Sequence, residues 1–156
     1  MDRMKPLFVG QAPSRSAKVG CRALSGAVGA RLAGLAGVAE SEFLRRVDTV
    51  NLLAAWPGRA GKGDLFPAAA ARRGVMRLMR LGDFWARGRI ILVGFGVARA
   101  FWIEDEAPCF WFRGWRQRQR VAIIPHPSGV NGWYNVAENE AMVRKFLLNM
   151  IGGNHG

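Results

Sequence analysis

The chain reads as an α/β protein in three layers, with a mainly parallel four-stranded sheet held between helices. Three observations predict this. Short apolar runs that read as strands occur four times along the chain, and segments of helical spacing alternate with them. No internal repeat or low-complexity tract competes with that order. With 156 residues, 50% of them hydrophobic and 22% charged, the composition is that of an ordinary folded domain, so residues 1–156 are expected to form a single domain around one core.

The elements follow in order. Leu7 to Val9 is a buried first strand, stopped by Gly10 and Pro13, which feed a loop. Val28, Leu32 and Leu35 lie at helical spacing in a Gly- and Ala-rich stretch, predicting a helix from about Ser25 to Val38. Ser41 is suited to cap a short helix through Arg46, and Thr49 to Leu53 makes the second strand. Pro57 to Pro67 is a Gly-rich basic loop whose last proline suits the first turn of a long helix reaching about Ala86. That helix is studded with Arg72, Arg73, Arg77 and Arg80, and Arg87 follows it. Ile90 to Val93 is the third strand, and Gly94 and Gly96 open a helix through about Trp102. Glu104 to Arg120 reads as irregular, with an acidic triplet, Cys109, four aromatics and the cationic run WRQRQR. Val121 to Ile124 is the fourth strand. Asn135 and Glu138 read as a capping box for a last helix with the stripe Met142, Phe146 and Met150, ended by Gly152 and Gly153. In such a sheet ligands bind at the C-terminal ends of the strands.

Charge narrows the partners. The chain carries 23 basic and 11 acidic residues, a net charge of +12, and 19 of the basic residues are Arg. Arg matches phosphate with a planar fork and stacks on bases, so a polyanion is the expected partner. A codon bias toward Arg would give the same excess. Cys21 and Cys109 are too few and too far apart for a zinc or iron–sulfur site, and both read as buried, reduced thiols. No apolar run reaches the ~18 residues that span a bilayer, which leaves a cytoplasmic protein with no membrane partner as the expectation. VGFGVA lacks the full GxGxxG of a dinucleotide fold.

The loops after strands one, two and four read LFVGQAPSRS, NLLAAWPG and IIPHPSGVNGWYN. In this order the set resembles the uracil-DNA glycosylase superfamily, where a G-x-x-P loop, an Asn at the second strand and an HPS or NPS loop follow successive strands. RALSGAVGARL and RIILVGFGVARAF are similar to the thermostable bacterial and archaeal branch, called family 4, so the resemblance covers nearly the whole chain. It implies a uracil-DNA glycosylase-like fold and a monomeric enzyme acting on single- or double-stranded DNA that contains a damaged base. That enzyme hydrolyses the N-glycosidic bond of a flipped-out uracil or other deaminated base.

The resemblance also assigns roles. His126 stabilises the leaving base, Gln11 stands where family 4 has a catalytic Glu, and Ala12 where other branches have Asp or Asn. Asn51 reads the base edge; Gly10, Ala12 and Leu24 complete the base pocket, Leu24 replacing a stacking Phe. Ser14, Arg15, Ser128, Gly129, Val130 and Asn131 are expected on the DNA, with Val130 as the wedge and Trp133 and Tyr134 close by. No carboxylate occupies a water-activating position, and the cluster-binding cysteines of family 4 are missing, so no cofactor is implied. An inactive member that binds DNA or a damaged base without cleavage is the alternative.

The chemistry of the residues agrees. A carboxamide such as Asn51 offers both donor and acceptor to a uracil-like edge. A donor at the departing oxygen is worth ~10²–10³ in rate. Gln11 can orient water but cannot take its proton, a loss of ~10²–10⁴. Read without the resemblance, Asn51 is a turn residue, His126 a hydrogen-bonded strand-end residue and His155 part of a Gly-rich tail. Asp64, in the basic loop, is placed to approach the pocket.

Overall fold

The structure, a computed structural model, describes residues 4–152 apart from Val19, Glu106, Arg116, Gln117 and Gly129–Asn131; of these, the side chains of Ala60 and residues 109–113 are not described. In chain order the elements are β1 (Leu7–Gly10), α1 (Ala27–Leu35), α2 (Glu40–Arg46), β2 (Asp48–Asn51), a hairpin of β3 (Arg59–Ala60) and β4 (Gly63–Asp64), α3 (Ala68–Met79), β5 (Arg89–Val93), α4 (Phe95–Ala100), β6 (Cys109–Gly114), β7 (Arg120–Ile124) and α5 (Ala137–Gly152). Short 3-10 turns lie at Phe84–Ala86 and Gly132–Asn135.

The main sheet has the order β2-β1-β5-β7-β6. Its first four strands run parallel, as the alternation of strands and helices predicts, and β6 pairs antiparallel with β7 at the edge. Side chains alternate across it. Leu7, Val9, Ile90, Leu92, Val121 and Ile123 pack on Ala71, Val75 and Leu78 of α3 and Val97 and Ala98 of α4. Phe8, Ile91, Val93, Ala122 and Ile124 pack on Leu32 of α1, Phe43 of α2 and Val143, Phe146 and Leu147 of α5. Both faces are therefore covered, which is why β5 and β7 read as unbroken apolar runs.

Several expectations shift. β2 starts at Asp48 and leaves the sheet at Asn51, because Leu52 and Leu53 turn away while their amides still donate to the Gly10 and Gln11 carbonyls (3.0 and 2.9 Å). Ser41 lies inside α2, whose cap is Ala39. The long helix stops at Met79, and a separate 3-10 turn follows Gly82. The segment read as irregular contains β6, whose Cys-Phe-Trp-Phe core favours a strand. α4 ends at Ala100, and Trp102 takes a left-handed φ of 59°. α5 starts at Ala137, so Asn135 falls outside its cap, and Met142 is exposed while Val143 and Leu147 fill the core. Cys21 is exposed, not buried. Gly153 and His155 lie outside the described residues. Among the described residues no helix is long and apolar enough to cross a membrane.

Two helical glycines separate packing from propensity. Ala should gain about 0.5–1 kcal/mol over Gly in a helix. At Gly34 of α1 nothing lies within 4 Å of an added methyl. At Gly74 of α3 the methyl would run into the Leu52 backbone carbonyl, and overpacking costs about 1–3 kcal/mol. Urea denaturation should show Gly34→Ala more stable than the parent and Gly74→Ala less stable; equal midpoints would contradict the α3 contact.

Candidate functional site

Gly10 closes β1 in register with Asn51, the last residue of β2. A Cβ built on Gly10 would fall 2.6 Å from Asn51 Oδ1 and 2.5 Å from Leu24 Cδ2. Only glycine lets those two side chains meet at the strand end. Gly94 follows β5 with a φ of 103°, and its amide donates to the Ile124 carbonyl at the end of β7 (2.8 Å). The Cβ position of Gly94 lies 3.3 Å from His126 Cβ and 3.5 Å from Gln11 Nε2. That of Gly96 lies 3.6 Å from Gln11 Nε2 and 3.0 Å from Phe66 Cδ1. Gly10 thus ends β1, Gly94 follows β5 beside the end of β7, and Gly96 lies in the first turn of α4.

Two pairs meet there: Leu24 and Asn51 at the Gly10 position, and Gln11 and His126 at the Gly94 position; Ala12 is half-buried beside Gln11. Asn51 Oδ1 is buried and meets no hydrogen-bond donor among the described residues. Leaving a buried acceptor unsatisfied costs about 1–3 kcal/mol, so a ligand N–H at that oxygen would be well rewarded. Leu24 adopts a left-handed φ of 60° and is buried against Gly10.

The loop carrying His126 is fixed from behind. The Tyr134 hydroxyl donates to the Pro125 carbonyl (2.6 Å), and the Arg31 guanidinium lies 5.2 Å over its ring. Burial raises the Tyr134 pKa well above its ordinary range, so it stays a donor. Burial pushes His126 below its ordinary value, while the Asp64 carboxylate of the hairpin pulls the other way. The imidazole is therefore mainly neutral at pH 7.

The expected DNA contacts are only partly in view. Ser14 and Arg15 are exposed on the loop after β1, where the Arg15 guanidinium stacks 5.7 Å from the Trp56 ring centroid of the loop after β2. Ser128 is half-buried, and Gly129, Val130 and Asn131 lie outside the described residues. Arg72, Arg73, Arg77 and Arg80 are exposed along α3. Arg87 is not available to a ligand: it is tied to Asp48 and Asp83. In the run 116–120, Arg118 and Arg120 are exposed, and Arg116 lies outside the described residues. A cavity of about 690 Å³ lies elsewhere, along β2 and α2, lined by Lys5, Arg22, Arg45 and Leu81 among others. It shares no residue with the strand-end site.

Phe66, Gly94 and Gly96 belong to the site without having been singled out for it. Gly94 and Gly96 read only as helix openers, and no periodicity marks a Phe before Pro67. Among the described residues no group of three His, Cys, Asp or Glu side chains could hold a metal. Neither the protein-family models nor the curated proteins give a match to this chain.

The His126 environment makes a pH prediction. Its folded pKa lies below the ordinary 6.5, so between the two values the unfolded chain binds more protons. Its stabilising contribution is complete above pH 6.5 and declines as the pH falls toward the folded value. Asp64→Asn should lower the His126 pKa further, read from the imidazole Cε1 proton in an NMR titration. An unchanged pKa would place Asp64 too far away to act.

Proposed function

We propose that this chain is a DNA glycosylase of the uracil-DNA glycosylase superfamily. It would hydrolyse the N-glycosidic bond of uracil or another deaminated base flipped out of DNA, the first step of base-excision repair. The observation that supports the reading is that Asn51 meets Gly10 at the end of β1, while Gln11 and His126 meet at Gly94 after β5, on the same C-terminal edge of the parallel strands. Gln11, Asn51 and His126 are the three positions that the sequence resemblance singles out.

A base inside a duplex is out of reach of any side chain, so the nucleotide is rotated into the pocket. Asn51 Oδ1 accepts the ring N–H and its amide donates to the neighbouring oxygen. As the bond from C1′ to the base nitrogen lengthens, positive charge grows on the sugar and negative charge on the base. Neutral His126 donates to the oxygen where that negative charge gathers. Gln11 orients a water whose oxygen bonds to C1′, and the water's proton ends on the departed base.

The carboxamide of Gln11 and the methyl of Ala12 favour a second reading, a member that binds a damaged base and cleaves it slowly or not at all. Incubating the protein with oligonucleotides carrying uracil, hypoxanthine or xanthine, then breaking abasic sites with alkali, separates the two. Strand breaks on none of them at stoichiometric protein would refute cleavage. In single-turnover assays, His126→Ala should lose roughly 10² or more in rate and Gln11→Ala less, since the fixed donor acts on the developing charge while water meets an already reactive sugar. Gln11→Glu should raise the rate. Full activity in His126→Ala would remove the central residue of the reading.

Binding should weaken steeply with salt, because each phosphate met by an exposed Arg releases counterions. Titrating labelled single strands between low and high salt measures this. A flat response would detach the Arg-rich face of α3 from DNA.

A further inference from the structure

We infer that the cavity along the open edge of β2 binds a small organic anion, a carboxylate carried on an apolar body, apart from the strand-end site. β2 is the outermost strand of the main sheet, and the cavity of about 690 Å³ straddles that edge. Leu7, Val50, Leu78 and Phe84 line it and belong to the core on the α3 side, while Leu44 of α2 lines it and belongs to the core on the other face. Ligand sites run from about 300 to 1,000 Å³ and combine apolar walls with a few polar groups, and this cavity has that size and that mixture.

The lining also exceeds what the core needs. Leu81, in the turn after α3, is 54% exposed and lines the same cavity as half-buried Leu44 and Val50. A single exposed leucine is ordinary. Three incompletely buried aliphatic side chains around one cavity give an apolar body surface to cover, and covering it removes that surface from water.

Charge selects the head group. Four cations and two carboxylates line the cavity. Arg87 is held by Asp48 and Asp83, and Arg45 by Glu42. Arg22 instead donates to neutral oxygens, from Nε to Thr49 Oγ1 (3.1 Å) and from Nη2 to the Val47 carbonyl, and Lys5 is exposed at the cavity with no ion pair among the described residues. These two cations are the ones whose charge no carboxylate answers, and a guanidinium fork matches a carboxylate. A single charge suits the balance, because Asp48 and Asp83 share one arginine and a doubly charged head would meet their excess. Guarding the strand edge requires the charge of Arg22 but no apolar wall beside it.

The probe is 8-anilinonaphthalene-1-sulfonate, a singly charged anion on an apolar body whose fluorescence rises in apolar surroundings. Titrated into the 156-residue protein, it should saturate at one per chain and be displaced by decanoate, about 10-fold less well by decanol, and less well by decyl phosphate. Arg22→Gln and Leu81→Glu should each weaken the probe about 10-fold, the lower end of what a hydrogen bond to a charged group contributes. Leu148→Glu, which removes a comparably exposed leucine from α5, should leave it unchanged. Since Arg22→Gln also uncovers the β2 edge, sedimentation velocity accompanies it; if that variant self-associates, Leu81→Glu, which keeps Arg22, decides alone. Binding that does not saturate at one per chain, wild-type affinity in Leu81→Glu, equal displacement by decanol, or an equal loss in Leu148→Glu would overturn the site. Tighter displacement by decyl phosphate would overturn the carboxylate head, and competition by a single-stranded oligonucleotide would overturn its separation from a DNA-binding surface. None of these readouts requires base excision, so the glycosylase reading and this one fail independently.

Discussion

A parallel sheet covered on both faces has no room for a polar group between its layers, and that constraint decides where chemistry occurs in this molecule. Phe8, Ile91 and Ile124 close one face, Val9, Leu92 and Ile123 the other, and all six are fully buried. At the C-terminal ends of β1 and β5 the chain spends buried glycines, at 10 and 94, and another at 96 in the first turn of α4, where a Cβ would meet Asn51, His126 or Phe66. Absence of a side chain at these glycines is what lets the neighbouring side chains approach the strand ends so closely.

What the sequence reveals follows the same physics. β1, β5 and β7 are legible because burial on both faces writes an apolar run into each. β6 is obscured because it sits at an edge between an acidic triplet and a basic run, and a strand of that kind is defined by its partner, here β7. Gln11, Asn51 and His126 are legible because each ends or follows a strand. Phe66 is not, because its place depends on a two-residue hairpin and on a glycine 30 residues away in sequence, at position 96. No local pattern encodes a contact of that range. Cys21 and Met142 fail for the simpler reason that apolar character does not guarantee burial.

The positive charge divides into two uses. Arg45 and Arg46 bond to Glu42, Arg144 to Glu140, and Arg87 to both Asp48 and Asp83, where it joins the start of β2 to the turn before β5. Arg22 donates to Thr49 Oγ1 and to the Val47 carbonyl, laying a cation along the open edge of β2. A charged side chain there opposes pairing with another strand. These arginines serve the fold, so the net charge overstates what a polyanion meets. On α3, Arg77 donates to the Leu52 carbonyl (3.0 Å) and Arg72 lies over the Trp102 ring, which leaves Arg73 and Arg80, with Arg15, Arg118 and Arg120, for that purpose.

The interior of the site is neutral where the surface is charged. Gln11 and Asn51 are carboxamides, and burial holds His126 in its uncharged form. On the proposed chemistry this arrangement has a clear logic. A departing base gathers negative charge, and a carboxylate beside it would raise the barrier by repulsion at the moment that charge appears. Fixed dipoles stabilise the anion with less desolvation cost than a buried cation, provided that they are oriented beforehand. Tyr134 supplies that orientation by gripping Pro125, and Asp64 stands on the exposed hairpin, close enough to bias His126 yet solvated. Exchanging Glu for Gln at position 11 thus trades proton acceptance for the absence of a repelling charge. A Glu at position 11 acts on the water rather than on the base, so its gain in proton acceptance outweighs the added charge, in keeping with the higher rate expected of Gln11→Glu.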